Sequence, residues 1–452
     1  MRADAYTRHL YASDASMYAE EPLVVAAPLD ADDVAAAVRV SARFGVPVLT
    51  RGAGTSLSGQ GIGGHGIVLD TSRHMDAIGE IDEGALRVRL GPGVVQEDLN
   101  RAAHAHGLGF GPDTSTSNRA TIGGMIGNNS SGSQSIVYGS TIDHVHSLEV
   151  VLSDGSRAAF GPVDDAERAR RAAGDGLEAA LYRELPRIVE AHRSAIERDY
   201  PRHWRQSGGY RLDRLAGDGP FDLARFVCGS EGSLVAITEA TVGLVPLPKV
   251  KRFAVGHFES VAQAIASTDD ALALGASAVE LMDSTILELS RQKVAYRDLS
   301  DLLTGDPDAL VFVSFDTDTE AEATERLDAL EDAWRRHGHG YHVLRPESAG
   351  QEEALTRVRK AALGLSWPRA RARDGRSPSS RTPRWRPSGS GTTSPASARS
   401  STPTAWRPAS TATCRSAACT SGPTSTSPSR VASRRCGRSL RRSSTWWRSS
   451  TA

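Results

Sequence analysis

Cysteine is scarce in this 452-residue chain: there are four, and only Cys228 lies before residue 366. A lone cysteine in the first 365 residues excludes a disulfide framework there and fits a reducing compartment. Long apolar runs are also missing. No uninterrupted stretch approaches the roughly 20 residues that span a bilayer, and the opening residues carry no apolar core of a secretory signal. The expectation is a cytoplasmic chain with no transmembrane segment, for which docking at the inner face of a membrane stays open. Clustered positive charge is absent from the first 365 residues as well. The formal net charge of −1 hides a split: residues 366–452 hold 17 Arg, no Lys and one acid, Asp374, a net of +16 that leaves −17 for residues 1–365. An acidic body argues against a nucleic-acid partner, because phosphate contacts need clustered cations.

The C-terminal 87 residues lack almost everything that builds a core. Eighty-four of them come from Ala, Pro, Ser, Thr, Arg, Gly, Cys and Trp, with Asp374, Val431 and Leu440 as exceptions. The same eight types supply only 25 of the first 50 residues. These are the amino acids whose codons carry G or C in the middle position. A GC-rich gene read one base out of frame places its G/C-rich third position there, so the composition implies a frame change near codon 365. Read back by one base, residues 411–423 are compatible with Tyr-Gly-His-Val-Ser-Val-Gly-Cys-Leu-His-Val-Arg-Pro, which has two histidines seven apart. The alternative is a natural Arg/Ser/Pro-rich disordered tail. In either case burial cannot offset the roughly 1–2 kcal/mol of backbone entropy per residue, and a disordered segment is expected.

What remains reads as mixed α and β. A strand at 23–28 leads to a helix at 31–44, capped by Asp30 and stopped by Gly45, and strands follow at 46–50 and 67–70. Further strands are expected at 86–90, 147–152, 157–160 and 233–246, with helices at 94–106 and 167–200. After Lys249 the pattern restarts: strand 252–258, helix 260–274, short helix 279–290, strand 309–315, helix 318–337, strand 341–345 and helix 351–364. This order predicts a second α+β unit with an antiparallel sheet.

Three glycine-rich segments carry the chemistry. The first follows a strand directly: Arg51, Gly52, Ala53, Gly54, Thr55, Ser56, then Gly59 and Gln60. Its glycines let the backbone approach a ligand, and successive N–H groups there form an anion nest suited to a diphosphate. A plain structural turn is the alternative, and the spacing is neither a Rossmann fingerprint nor a P-loop. The second runs from Pro112, Asp113 and Thr114 through Gly123, Gly124, Asn128, Ser130 and Gly132 to Tyr138 and Gly139. Roughly thirty residues without a clear element are unusual unless functional. The third holds Glu231, Gly232 and Ile237, where a turn feeds a strand.

Together the three segments resemble the vanillyl-alcohol-oxidase (PCMH-type) FAD-binding family, in its branch of D-lactate, glycolate and D-2-hydroxyglutarate dehydrogenases. The resemblance implies an α+β fold: a two-subdomain FAD-binding domain at 1–248, an incomplete substrate cap at 249–365 and a disordered tail at 366–452. It implies the first loop on the pyrophosphate, the second along the flavin and ribityl chain, and the third over the adenine side, with Ile237 giving backbone contact. Relatives that attach FAD covalently use a histidine where Thr55 stands, so non-covalent FAD is expected, with His65 a loop residue. Arg359 matches the family arginine that binds the substrate carboxylate, a task suited to its planar fork; a solvated helix charge is the alternative. The family's paired metal- and base-bearing histidines would fall in the frame-changed tail, so no catalytic or metal residue is assigned.

The activity implied is oxidation of a small D-2-hydroxy acid to the 2-oxo acid, with hydride transfer to flavin N5 and electrons leaving to a quinone, cytochrome or iron–sulfur protein. A flavin-binding remnant without catalysis is the rival reading. A sugar-nucleotide reductase on the same scaffold is a third, less favoured by the cap pattern and Arg359.

Overall fold

The helix expected after Asp30 forms over Ala31–Phe44, and its ends show why. The Asp30 carboxylate accepts from the N–H groups of Asp32 and Asp33 at 2.9 and 3.0 Å, satisfying first-turn donors. Gly45 ends it in the left-handed region at φ 63°. The computed structural model describes residues 1–201, 205, 206, 208–293, 302–359 and 411–413. The helix connects two strands of a three-stranded parallel sheet, in which β1 (Val24–Ala26) and β2 (Val48–Arg51) flank β3 (Ile67–Asp70). Val34, Ala35 and Val38 cover one face of that sheet against Ile67 and Leu69.

A second, antiparallel sheet has the order β4 (Ile78–Asp82), β5 (Arg87–Leu90), β11 (Ala236–Gly243), β7 (Val145–Val151) and β8 (Arg157–Phe160). Two short ribbons trim it: β6 (Leu108–Gly109) with β12 (Val245–Pro246), and β9 (Pro162–Val163) with β10 (Phe221–Asp222). Its core draws on the helices Gln96–His104, Ile122–Asn128 and Gly176–Asp199 through Leu99, Ile122, Ile126, Tyr182 and Val189. Cys228 is buried and free, and burial pushes its thiol pKa up, so it is inert packing.

The third sheet is antiparallel, in the order β16 (His342–Leu344), β13 (Val250–Phe258), β15 (Ala309–Thr317), β14 (Ala278–Asp283), β17 (Thr411–Thr413). Alternation along the strands builds two cores. Ala254, Phe258, Val311, Val313 and Phe315 pack beneath Leu327, Leu330 and Trp334 of the helix Glu320–His337. Val255, Met282, Leu310 and Phe312 face the opposite way, toward Leu355 and Val358 of the helical residues 349–359.

The architecture matches the expected α+β fold with an antiparallel cap sheet, and several elements differ in detail. The expected helix at 279–290 is a strand, β14, that runs straight into the helix Ser284–Arg291, whose cap Asp283 accepts from Ile286 N–H. The expected helix 167–200 is two, Asp165–Ala172 and Gly176–Asp199, parted at Gly174 and at Gly176, φ 85°. The helix at 260–274 divides at Ser267. The long second loop contains three short helices, at Ile122–Asn128, Ser135–Tyr138 and Thr141–His144. Within the tail, Thr411–Thr413 pairs antiparallel along β14, a strand where disorder was expected; the rest of that segment, and the end of the helix expected at 351–364, lie outside the described residues.

His257 is fully buried within the cap, its ring edge-on to Tyr341 and His342, and its Nε2 accepts from the Thr304 N–H at 3.4 Å. Burial and the neighbouring His342 pull its pKa down to about 4. A folded pKa below the unfolded one of about 6.5 gives stability that is present above pH 6.5 and lost as pH falls through 4, a span worth roughly 3 kcal/mol. Melting between pH 7 and pH 4.5 should therefore show a cap transition that falls with acid, and His257→Gln should flatten that slope. An unchanged slope in the variant would assign the acid sensitivity elsewhere.

Candidate active site

β2 ends at Arg51, and the chain then enters the first glycine-rich loop. The Arg51 guanidinium turns away from that loop's outer edge. It donates to the carbonyls of Tyr11 at 3.1 Å, Ser13 at 2.8 Å and Gly61 at 2.8 Å, and lies over the Tyr11 ring. Arg51 thus staples the N-terminal segment to the loop instead of offering a free cation. Gly54 and Gly59 hold left-handed φ values of 64° and 89° that the turn requires. Among the described residues, the N–H groups of Ala53, Gly54, Thr55 and Ser56 make no hydrogen bond.

The second segment is brought against the first by close backbone approach. A Cβ on Gly52 would stand 1.9 Å from Thr121 Oγ1, and Thr121 caps the helix Ile122–Asn128. A Cβ on Gly132 would fall 1.8 Å from the Asp113 carbonyl oxygen, so the two ends of the segment touch only because residue 132 is glycine. Asn129, left-handed at φ 48°, closes the helix; its Oδ1 accepts from Ile142 N–H at 3.0 Å and its Nδ2 donates to the Gln206 carbonyl at 3.4 Å. The third segment bends through Glu231, φ 54°, whose N–H donates to the Gly127 carbonyl at 2.8 Å. The Glu231 carboxylate accepts from Gln60 Nε2 at 3.3 Å, which ties the third segment to the first.

These three segments and the cap enclose a cavity of about 630 Å³, within the range of small-molecule and cofactor sites. Arg51, Gly52, Ala53, Gly54, Thr55, Ser56 and Gln60 line it from the first segment. Asp113, Thr114, Gly123, Gly124, Asn128, Ser130 and Gly132 line it from the second, and Glu231, Gly232 and Ile237 from the third. Four expected residues stand outside its wall. Gly59 packs under Tyr18, the Pro112 carbonyl accepts from the Gln96 amide, and the Tyr138 carbonyl faces His144 Nε2 at 2.8 Å. Gly139, φ 76°, sits tightly over Asp143. The segment around Tyr138 reaches the cap instead: Gln134 donates to Asp316 at 3.1 Å and Ile136 packs on the cap core. His65 is an exposed left-handed loop residue that does not line the cavity.

From the cap, Arg359 reaches the cavity wall and its Nη1 lies 2.9 Å from Glu280 Oε2 on β14. The pair is largely shielded, with 18% and 22% of the side chains exposed, so the solvated-charge alternative for Arg359 does not describe it. Sequence reasoning missed Glu280, Arg205 and Gln206, which also line the cavity. Arg205 makes no ion pair among the described residues. A signal existed: residues 201–220 combine Arg, Trp, Tyr and paired glycines with no apolar period.

The cavity suits FAD. Gly127 and Gly232 line it, and their directions of side-chain projection meet only ordinary contacts, Gly232 N at 3.8 Å and Leu49 Cδ1 at 3.7 Å, so the second and third segments pack side by side along its wall. Free loop amides, with few unpaired cations, suit a diphosphate held by backbone donors.

Comparison with known proteins agrees. Residues 22–161 match the FAD binding domain model, and residues 247–377 match the C-terminal domain of FAD linked oxidases, together more than half of the chain. D-2-hydroxyglutarate dehydrogenase of Pseudomonas putida is 36% identical over 383 residues, covering 80% of this chain and 37% of that protein. Its counterpart in Escherichia coli is 35% identical over 380 residues, with the same coverage of 80% and 37%. Glycolate oxidase subunit GlcD of Bacillus subtilis is 29% identical over 357 residues, covering 79% and 64%. The chain spans little more than a third of the length of the D-2-hydroxyglutarate dehydrogenases it matches. In fold, a solved alkyldihydroxyacetonephosphate synthase superposes with a TM-score of 0.55 at 16% identity, covering 82% of this chain and 61% of that one. No described helix is long and apolar enough to cross a membrane. With its glycine-lined cavity between an FAD-binding fold and a cap, the chain belongs to the FAD-linked oxidases, in the branch of the D-2-hydroxyglutarate, glycolate and D-lactate enzymes, and its cofactor is FAD.

Proposed function

We propose that this chain binds FAD non-covalently and derives from an enzyme that oxidises a small D-2-hydroxy acid to its 2-oxo acid. The observation that carries the reading is the run of four unengaged amides, Ala53 to Ser56, on a loop that walls the same cavity as Arg359. The amides hold the diphosphate, residues 113–132 run along the flavin, and Glu231, Gly232 and Ile237 close the adenine side. Arg359 takes the substrate carboxylate in a charge-assisted pair, in competition with the Glu280 carboxylate that lies 2.9 Å from its guanidinium. Bound FAD supplies a hydride acceptor at N5 for the hydrogen on the substrate's carbinol carbon. Residues 1–248 act as the cofactor domain and 249–365 as the cap. The electrons leave to a quinone, a cytochrome or an iron–sulfur protein, in the cytoplasm or at the inner face of the membrane.

A second reading rests on the composition of residues 366–452. Eighty-four residues of eight types point to a frame change, and with it to loss of the histidine segment that would take the hydroxyl proton. The chain as translated is then a flavin-binding remnant. Sequencing the gene across codons 350–380 and expressing both frames separates the two. We expect both proteins to carry flavin that acid precipitation releases, and only the restored frame to be bleached by D-lactate or D-2-hydroxyglutarate. Flavin that stays on the acid-precipitated protein would sink the non-covalent assignment. Codons without third-position G/C bias would sink the frame change, and a restored frame that takes up no flavin would sink the reading as a whole.

A further inference from the structure

The helix Glu320–His337 ends in a tight turn that places two imidazoles beside a carboxylate on the cap's outer helical layer. His337 is its last residue, Gly338 is left-handed at φ 68°, and the His339 N–H returns to the Trp334 carbonyl at 2.8 Å. This turn folds the chain back so that residues 337 and 339 share one side of the helix end, their rings 5.9 Å apart. Asp270, from the helix Thr268–Ala273, faces them. Its Oδ1 and Oδ2 lie 2.9 and 3.1 Å from His337 Nδ1, and its Oδ2 lies 3.9 Å from His339 Nε2. One ligating atom from each residue falls within 4.8 Å of the others.

We propose that Asp270, His337 and His339 form a binding site for a divalent transition-metal ion of the zinc class. Two imidazoles and a carboxylate are a zinc donor set, and bonds of about 2.0–2.2 Å in a tetrahedron put ligand atoms about 3.3 Å apart. The observed separations bracket that value, so side-chain rotation alone closes the site. Binding replaces the contact between His337 Nδ1 and the Asp270 carboxylate with a bond from each to the metal. The chain's own packing holds the frame: Trp334 is buried, and its Nε1 donates to the Ser267 carbonyl at 3.0 Å, which locks the two helices three residues from His337 and Asp270. Gln263 Nε2 donates to the Gly338 carbonyl at 2.9 Å and fixes the turn between the histidines. The end of a helix carries partial negative charge that favours a cation, and the neighbouring Arg335 is paired with Asp332 at 2.6 Å.

The site lies across the cap sheet from Arg359 and Glu280. Asp270, His337 and His339 belong to the layer packed on Ala254, Val279 and Leu281, whereas Glu280 projects from the other face of β14. The metal therefore braces the cap and takes no part in hydride transfer. The three side chains are at least partly exposed, so their replacement is expected to preserve the fold.

The test uses the full chain, stripped with a chelator, its thiols alkylated, and titrated with Zn²⁺ by calorimetry and thermal melting. Wild type should show one tight site and a zinc-dependent rise in melting temperature. His337→Ala/His339→Ala and Asp270→Asn should each bind one zinc fewer, or bind it at least tenfold more weakly, and lose the rise, while their zinc-free melting and flavin content match wild type. The same stoichiometry and affinity in wild type and both variants would overturn the site. So would a wild-type protein that takes up no zinc. Should the double variant melt early without zinc, His337→Gln supplies the same comparison with less disturbance.

Discussion

Gly132→Ala should yield a protein almost free of flavin, with less than a tenth of the wild-type visible absorbance per chain and a lower melting temperature. A Cβ at 132 would stand 1.8 Å from the Asp113 carbonyl oxygen and 2.1 Å from its carbonyl carbon. Both are backbone atoms, so no side chain can swing aside. The two ends of the second segment must part, which costs about 1–3 kcal/mol or more in a packed site and opens the cavity wall along its length. Gly127→Ala is the informative partner. Its Cβ would meet only the Gly232 nitrogen, at 3.8 Å, and alanine in a helix is about 1 kcal/mol better than glycine. That variant should melt no lower than wild type and still bind flavin more weakly, because it adds a methyl at a cavity-lining residue. Full flavin content in Gly132→Ala would show that the touching loops have nothing to do with the cofactor.

The second large effect concerns Arg359. Arg359→Ala should weaken binding of a 2-oxo acid, read as a perturbation of the flavin spectrum, by about 10- to 150-fold, the equivalent of losing about 1.5–3 kcal/mol of charge-assisted hydrogen bonding. Arg359→Lys should recover only part of it, since an ammonium cannot make the planar fork. Glu280→Gln should bind the oxo acid at least as tightly as wild type, because a competing negative charge at 2.9 Å is removed. If Arg359→Ala binds as well as wild type, the arginine serves only its ion pair with Glu280. Spectral perturbation by a product needs no turnover, so the result is independent of the reading frame of residues 366–452.

Much of the site was legible because glycine announces close backbone approach. Gly52, Gly123 and Gly132 all prove to be positions where a side chain would collide with a neighbouring segment. Long side chains were less readable. Arg51 opens the first glycine-rich turn, yet its four-bond reach carries the guanidinium to the carbonyls of residues 11, 13 and 61. Glu280 was hidden because the run Ala278–Arg291 joins a strand to a helix without a spacer, and its apolar residues fit either period; the cue was Asp283, a helix cap in mid-run. Tyr138 and Gly139 stand outside the cavity wall because their segment turns toward the cap, where Gln134 meets Asp316 and Ile136 packs on the cap core. Strand β4 and the division of the helix at Ser267 left no mark strong enough to compete with the flanking periodicity.

The Arg51 staple also bears on where this domain begins. The matched FAD-binding region starts at residue 22, but the carbonyls that receive the guanidinium belong to Tyr11 and Ser13, and Asp14 accepts the Gly61 N–H at 3.1 Å. The first twenty residues are thus an outer buttress of the nest, supplying acceptors that its own turn lacks. A boundary drawn from sequence likeness alone would cut through it, stripping the Arg51 guanidinium of two of its three carbonyl acceptors.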